Sequence, residues 1–115
     1  MRFASLGSGS EGNALLIESS DGARTTRVLV DCGFGRREAE RRLRAAGCEP
    51  DRLDAILVTH EHADHIGGVF RLARAHGVPV HLTHGTLRAA AAMLATLDDV
   101  EPLLRVFDSH AAFEC

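Results

Sequence analysis

Tryptophan, tyrosine and lysine are absent from this 115-residue chain, and each absence narrows what the chain can do. Phenylalanine is the only aromatic type, so no stacking platform for unpaired bases is evident. All thirteen basic residues are arginine, and the net charge of -3 gives no global pull on a polyanion. Attraction to nucleic acid would therefore come from a local basic patch or from bound metal. The three cysteines, Cys32, Cys48 and Cys115, are odd in number and form no Cys-x-x-Cys pair. That excludes a disulfide framework and a zinc ribbon, and predicts free thiols. Apolar runs extend only a few residues, too short for a membrane span, and Met1–Gly7 lacks the apolar core of a secretory signal. The expectation is a cytoplasmic protein of one small domain with its own core.

What is present is an alternation of short strand and helix patterns. Arg2 to Leu6 and Ala14 to Glu18 predict strands on either side of a Gly/Ser-rich loop. The turn signal at Ser19-Ser20-Asp21-Gly22 and the β-branched run Val28-Leu29-Val30 make Leu15 to Val30 a hairpin. Ala39, Leu43 and Ala46 recur at helical spacing from Arg36 to Ala46, with Gly47 at the helix end. Ala55-Ile56-Leu57-Val58 is a continuous apolar run, as in a strand buried on both faces. Ile66, Val69, Phe70 and Ala73 then predict a helix closed by His76-Gly77, with His76 as a surface or capping residue. A strand at Val78 to Leu82, an Ala-rich helix from about Thr86 to Leu97 and a strand from Leu103 to Phe107 complete an α/β pattern.

Between the Ala55–Val58 strand and the next helix lies Thr59-His60-Glu61-His62-Ala63-Asp64-His65-Ile66-Gly67-Gly68. In extended backbone, residues two apart point the same way, so His60 and His62 are spaced to meet one metal ion. Asp64 and His65, at the mouth of the helix, are placed for a second ion beside it. Imidazole nitrogens with a carboxylate suit zinc, and also manganese or iron. A zinc-protease reading fails, because His-Glu-x-x-His requires a histidine where Asp64 stands. Gly67 and Gly68 let backbone approach closely at the helix start.

Two other patterns carry less. Gly7-x-Gly9-x-x-Gly12 has the letters of a dinucleotide fingerprint, but the turn at Ser19 to Gly22 leaves no room for the helix that fingerprint must open. Arg36, Arg37, Arg41, Arg42 and Arg44 interleave with Glu38 and Glu40, and internal ion pairs on a solvated face explain the run without DNA.

The histidine loop, the strand ending in Asp31-Cys32-Gly33 and the opening Gly7-Ser8-Gly9-Ser10-Glu11-Gly12-Asn13 together resemble the metallo-β-lactamase superfamily, most of all its WalJ (YycJ) branch of DNA-acting exonucleases. The resemblance implies an αββα sandwich with a dinuclear metal site at one edge of its β layers. It implies His60 and His62 on the first ion, Asp64 and His65 on the second, and Asp31 steadying the loop beside them. Asp64 could also help move a proton toward a leaving group. The implied reaction is hydrolysis of a DNA phosphodiester, with two divalent ions about 3.5–4 Å apart preparing the attacking water. A thioester or other small ester is an alternative substrate within the same superfamily.

The family's remaining ligands do not match His76, His81, His84 or His110, and its domain is about twice this length. We therefore expect residues 1–115 to be the N-terminal half of one such domain, inactive alone. Half a sandwich would leave a sheet face without its partner. A non-catalytic module binding a metal or a partner through that open edge is the third expectation.

Overall fold

A computed structural model of the chain describes residues 1–7, 13–59 and 63–107, with residues 63–67 described by their backbone. Strands β1 (Arg2–Gly7), β2 (Ala14–Asp21) and β3 (Arg24–Val30) form an antiparallel meander. Strands β4 (Ala55–Leu57), β5 (Val80–Thr83) and β6 (Leu104–Phe107) then add in parallel to β3, giving one six-stranded sheet in chain order. Helices fill the crossovers: α1 (Arg36–Ala45), α2 (Ala63–His76), and the short α3 (His84–Ala89) and α4 (Ala91–Leu94). The expected α/β class and order of elements are found.

Cross-strand register separates the two faces of the sheet. Leu16, Leu29, Ile56 and Val80 lie in one row and are wholly buried. They form the core with Leu43 of α1 and with Val69, Phe70, Leu72 and Ala73 of α2. The adjacent row, Leu15, Val30, Leu57 and His81, points to the other face and is half-buried. Phe3, opposite Ile17 on that second face, is 61% exposed. Apolar residues thus line both faces, while the described helices cover one.

Helix ends follow the glycine signals. The Cys48 N–H reaches the Leu43 carbonyl at 2.9 Å and the Gly47 N–H reaches that of Arg44 at 3.0 Å, the paired closure that a left-handed residue permits. The Val78 N–H repeats it at the end of α2, bonding the Ala73 carbonyl at 3.0 Å. The third expected helix differs. It begins earlier, at His84, because the Thr83 hydroxyl accepts the Thr86 N–H at 3.2 Å and caps it. It also kinks at Ala90, whose ψ of 0 separates α3 from α4 although the Ala90 and Leu94 N–H groups keep their helical partners. Ala90 is buried.

The arginine run of α1 forms internal ion pairs, as expected. Glu38 accepts from Arg41 and, at 2.8 Å, from Arg42, and these two guanidinium groups hold its carboxyl down at about 2. Arg36 meets Glu40 at 3.2 Å, and Arg44 meets Glu49 at 3.1 Å. His76 departs from the expectation of a surface or capping residue: its Nε2 lies 2.6 Å from Glu40 Oε2, both side chains being largely buried between α1 and α2. Its sequence position at a helix end gave no view of the neighbouring helix.

The hydrogen bond from His76, reinforced by Arg36, lowers the Glu40 pKa below its ordinary 4.5. A carboxyl lowered in the folded state contributes stability above its unfolded pKa and loses it as pH falls through the folded value. Glu40→Gln should therefore cost about 1–3 kcal/mol near neutral pH. The difference from wild type should shrink below pH 4.5 in urea titrations across the acid range.

Candidate metal edge

The parallel strands β3 to β6 all end at one edge of the sheet, the end at which open α/β sheets bind ligands. Asp31 follows β3 there, Val58 and Thr59 follow β4, and Thr83 closes β5. Because Gly7 pairs with Ala14 and Leu15 with Val30, the segment from Gly7 to Asn13 starts and ends at the same edge. The Gly33 N–H donates to the Asn13 carbonyl at 3.0 Å and joins that segment to the loop after β3.

Asp31 organises this edge. Its N–H continues the ladder to the Leu57 carbonyl at 2.8 Å, and then its backbone turns left-handed at φ 60. That conformation costs a residue with a side chain about 1–2 kcal/mol, and Asp tolerates it better than most. The turn leaves the buried carboxylate facing the end of β4. Oδ1 accepts the Thr59 N–H at 2.8 Å and Oδ2 accepts the Thr59 hydroxyl. Thr59 immediately precedes His60, so the strand is fixed at the residue where the histidine loop leaves it.

The second support is a close approach of α2. A Cβ placed on Gly68 would lie 1.7 Å from the Phe34 carbonyl oxygen and 3.4 Å from Cys32 Sγ. Only glycine lets the helix backbone seat against that loop. The Cys32 thiol donates to the same carbonyl at 3.5 Å. Burial pushes this thiol up to about 11, and burial also raises Cys48, so both remain neutral near pH 7. Both are free thiols, as expected.

The candidate ligands stand as follows. His60 and His62 lie outside the described residues. Asp64 and His65 occupy the first turn of α2, the helix that Gly68 seats against the β3 loop. The other histidines separate by position. His84 is exposed at the functional edge, at the start of α3. His81 sits within β5 on the second sheet face, its pKa lowered by burial and then by Arg105. His76 is bonded to Glu40 near the far end of α2, and His110 lies outside the described residues. Sequence reasoning missed Thr59 as the partner of Asp31, and it missed Phe34. Neither residue type signals such a role, since each depends on a contact between segments remote in sequence.

The donor types fit a divalent cation: the sequence supplies imidazoles and a carboxylate directly after a buried strand. Among the described residues, no helix is long and apolar enough to cross a membrane.

Comparison with known proteins shows the family. Residues 7–93 match the model of the metallo-beta-lactamase superfamily. The exodeoxyribonuclease WalJ of Streptococcus pneumoniae serotype 2 (strain D39 / NCTC 7466) is 39% identical over 88 residues, 76% of this chain and 31% of that protein. A ribonuclease Z of Bradyrhizobium sp. (strain ORS 278) is 44% identical over 78 residues, 62% of this chain and 25% of its own length. A metallo-β-lactamase of Cronobacter sakazakii with a HARLDQ motif has the same fold at a TM-score of 0.61 and 23% identity, over 70% of this chain and 31% of that one. The chain thus spans about a third or less of the length of these proteins.

Three substitutions test the supports. Gly68→Ala should destabilise by about 3 kcal/mol or more, because the opposing atom is a backbone carbonyl that cannot swing aside. Thermal unfolding checks it. Asp31→Ala should cost about 2–3 kcal/mol by releasing Thr59, and Asp31→Asn less, because the amide oxygen still accepts and asparagine tolerates the left-handed backbone. Urea titration of the two variants separates carboxylate from backbone.

Proposed function

We propose, from the premise that this chain belongs to the metallo-β-lactamase superfamily, that it forms part of a metal-dependent hydrolase cutting nucleic-acid phosphodiesters, with DNA as the substrate. The observation that carries the reading is the anchored edge: the carboxylate of Asp31 grips Thr59, the residue before a His-x-His-x-Asp-His run. The similarity to an exodeoxyribonuclease over most of this chain supports DNA as the substrate. A cytoplasmic setting fits such a substrate.

In this reading His60 and His62 hold one divalent ion, while Asp64 and His65 hold a second, zinc being a good match for the donors and manganese or iron also compatible. Bound ions supply Lewis acidity, lowering the pKa of a water and neutralising charge on phosphoryl oxygens. The chain's own part is to keep the ligands preorganised. Asp31 fixes where the loop leaves β4, and Gly68 fixes how closely α2 approaches. Asp64, in the first turn of α2, passes a proton toward the leaving oxygen in this reading.

Asp64→Ala in the natural full-length protein should abolish turnover of end-labelled duplex DNA while leaving the unfolding transition unchanged. Parallel assays on RNA and on a generic thioester identify the substrate class. Turnover of RNA or thioester alone would replace DNA in this reading, and full activity in Asp64→Ala would remove Asp64 from the mechanism.

A further inference from the structure

Phe34 joins the Gly68 support of α2 to two further elements, β1 and α1. Its carbonyl is the atom against which Gly68 seats. Its ring packs toward the end of β1, where a Cβ on Gly7 would come within 2.5 Å of Cζ. Arg42 of α1 covers the same ring, with its guanidinium carbon 4.1 Å from the centroid, within range for a cation–π contact. It also donates to the Leu6 carbonyl at 2.5 Å and to Glu38 at 2.8 Å. One arginine therefore grips both the end of β1 and the phenylalanine that meets α2.

We propose that Phe34, held in place by Arg42, is a positioning residue for the metal edge: it sets the spacing between the first turns of α2, which carry Asp64 and His65, and the end of β1 at Gly7. The proposal rests on the metal-site reading for its consequence, since Asp64 and His65 must be ligands for the spacing to matter. Phe34 touches no reacting atom in this account. Its effect is transmitted through the backbone contact at Gly68, and Arg42 limits the freedom of the ring.

The test uses the natural full-length protein and two readouts other than activity: zinc affinity, by competition with a chromophoric chelator, and amide exchange at Gly68, Val69 and Phe70. Phe34→Ala should weaken zinc binding about 10–100-fold, the usual effect of removing support behind metal ligands, and should speed exchange at those three amides. Arg42→Met, which keeps the aliphatic stem over the ring, should shift both readouts the same way by less, and serves if Phe34→Ala does not fold. Phe34→Leu should restore most of the zinc affinity. Leu43→Ala is the control, since it opens the buried core from the same helix while leaving the Arg42 and Phe34 side chains in place. Equal losses of zinc affinity in Leu43→Ala and Phe34→Ala would overturn the proposal, as would wild-type values of both readouts in Phe34→Ala. If the wild-type protein binds no zinc, the metal reading fails. Exchange alone then decides: faster exchange in Phe34→Ala but not in Leu43→Ala supports the spacing role, and equal exchange in the two overturns it.

Discussion

The Asp31 carboxylate is the constraint on which the functional edge depends. A left-handed residue with a side chain at the end of a strand is unfavourable, and here it is offset by two hydrogen bonds to one threonine and a ladder bond to Leu57. The strain and the bonds serve the same geometry. Without the turn the carboxylate would continue along β3; with it, the carboxylate bridges to β4 beside the histidine loop. A charged acceptor satisfied by a backbone N–H and a hydroxyl is a stiff support.

Packing around that edge is uneven in a way that matters for function. The helices and the buried rows of the sheet form a tight core on one side, so α2 is held along its length by Val69, Phe70, Leu72 and Ala73 and at its far end by the bond from His76 to Glu40. Its near end has no glycine-free option, because Gly68 must meet the Phe34 carbonyl. The second sheet face is different. Leu15, Ile17, Val28, Val30 and Leu57 are half-buried there, and Phe3 is exposed. Apolar side chains in that number on one face are what a further layer of the sandwich would cover.

Much of this was legible in the sequence, for identifiable reasons. Strands and helices followed apolar periodicity, and α1 and α2 ended at the glycines that marked them. The arginine run was correctly read as ion pairs because its glutamates stand three and four residues away, a relation internal to one helix. The closeness of backbone at the Gly67-Gly68 pair was also foreseen, and Gly68 bears it out. What stayed hidden depended on tertiary contact. The kink at Ala90 falls inside a run of alanines that offers no local signal. The partnership of His76 with Glu40, and those of Phe34 with Arg42 and Gly68, join residues that no spacing rule connects. Asp31 was singled out by the family resemblance, but its partner Thr59 carries no mark of its own.

In the function we propose, divalent metal binds here through histidine and carboxylate, with the cysteines taking no part. Zinc K-edge X-ray absorption of the zinc-loaded protein should then show a first shell of nitrogen and oxygen at about 2.0–2.1 Å, with the outer scattering of imidazole and a neighbouring metal at about 3.5–4 Å. A sulfur shell at about 2.3 Å, or a shell without imidazole scattering, would contradict it.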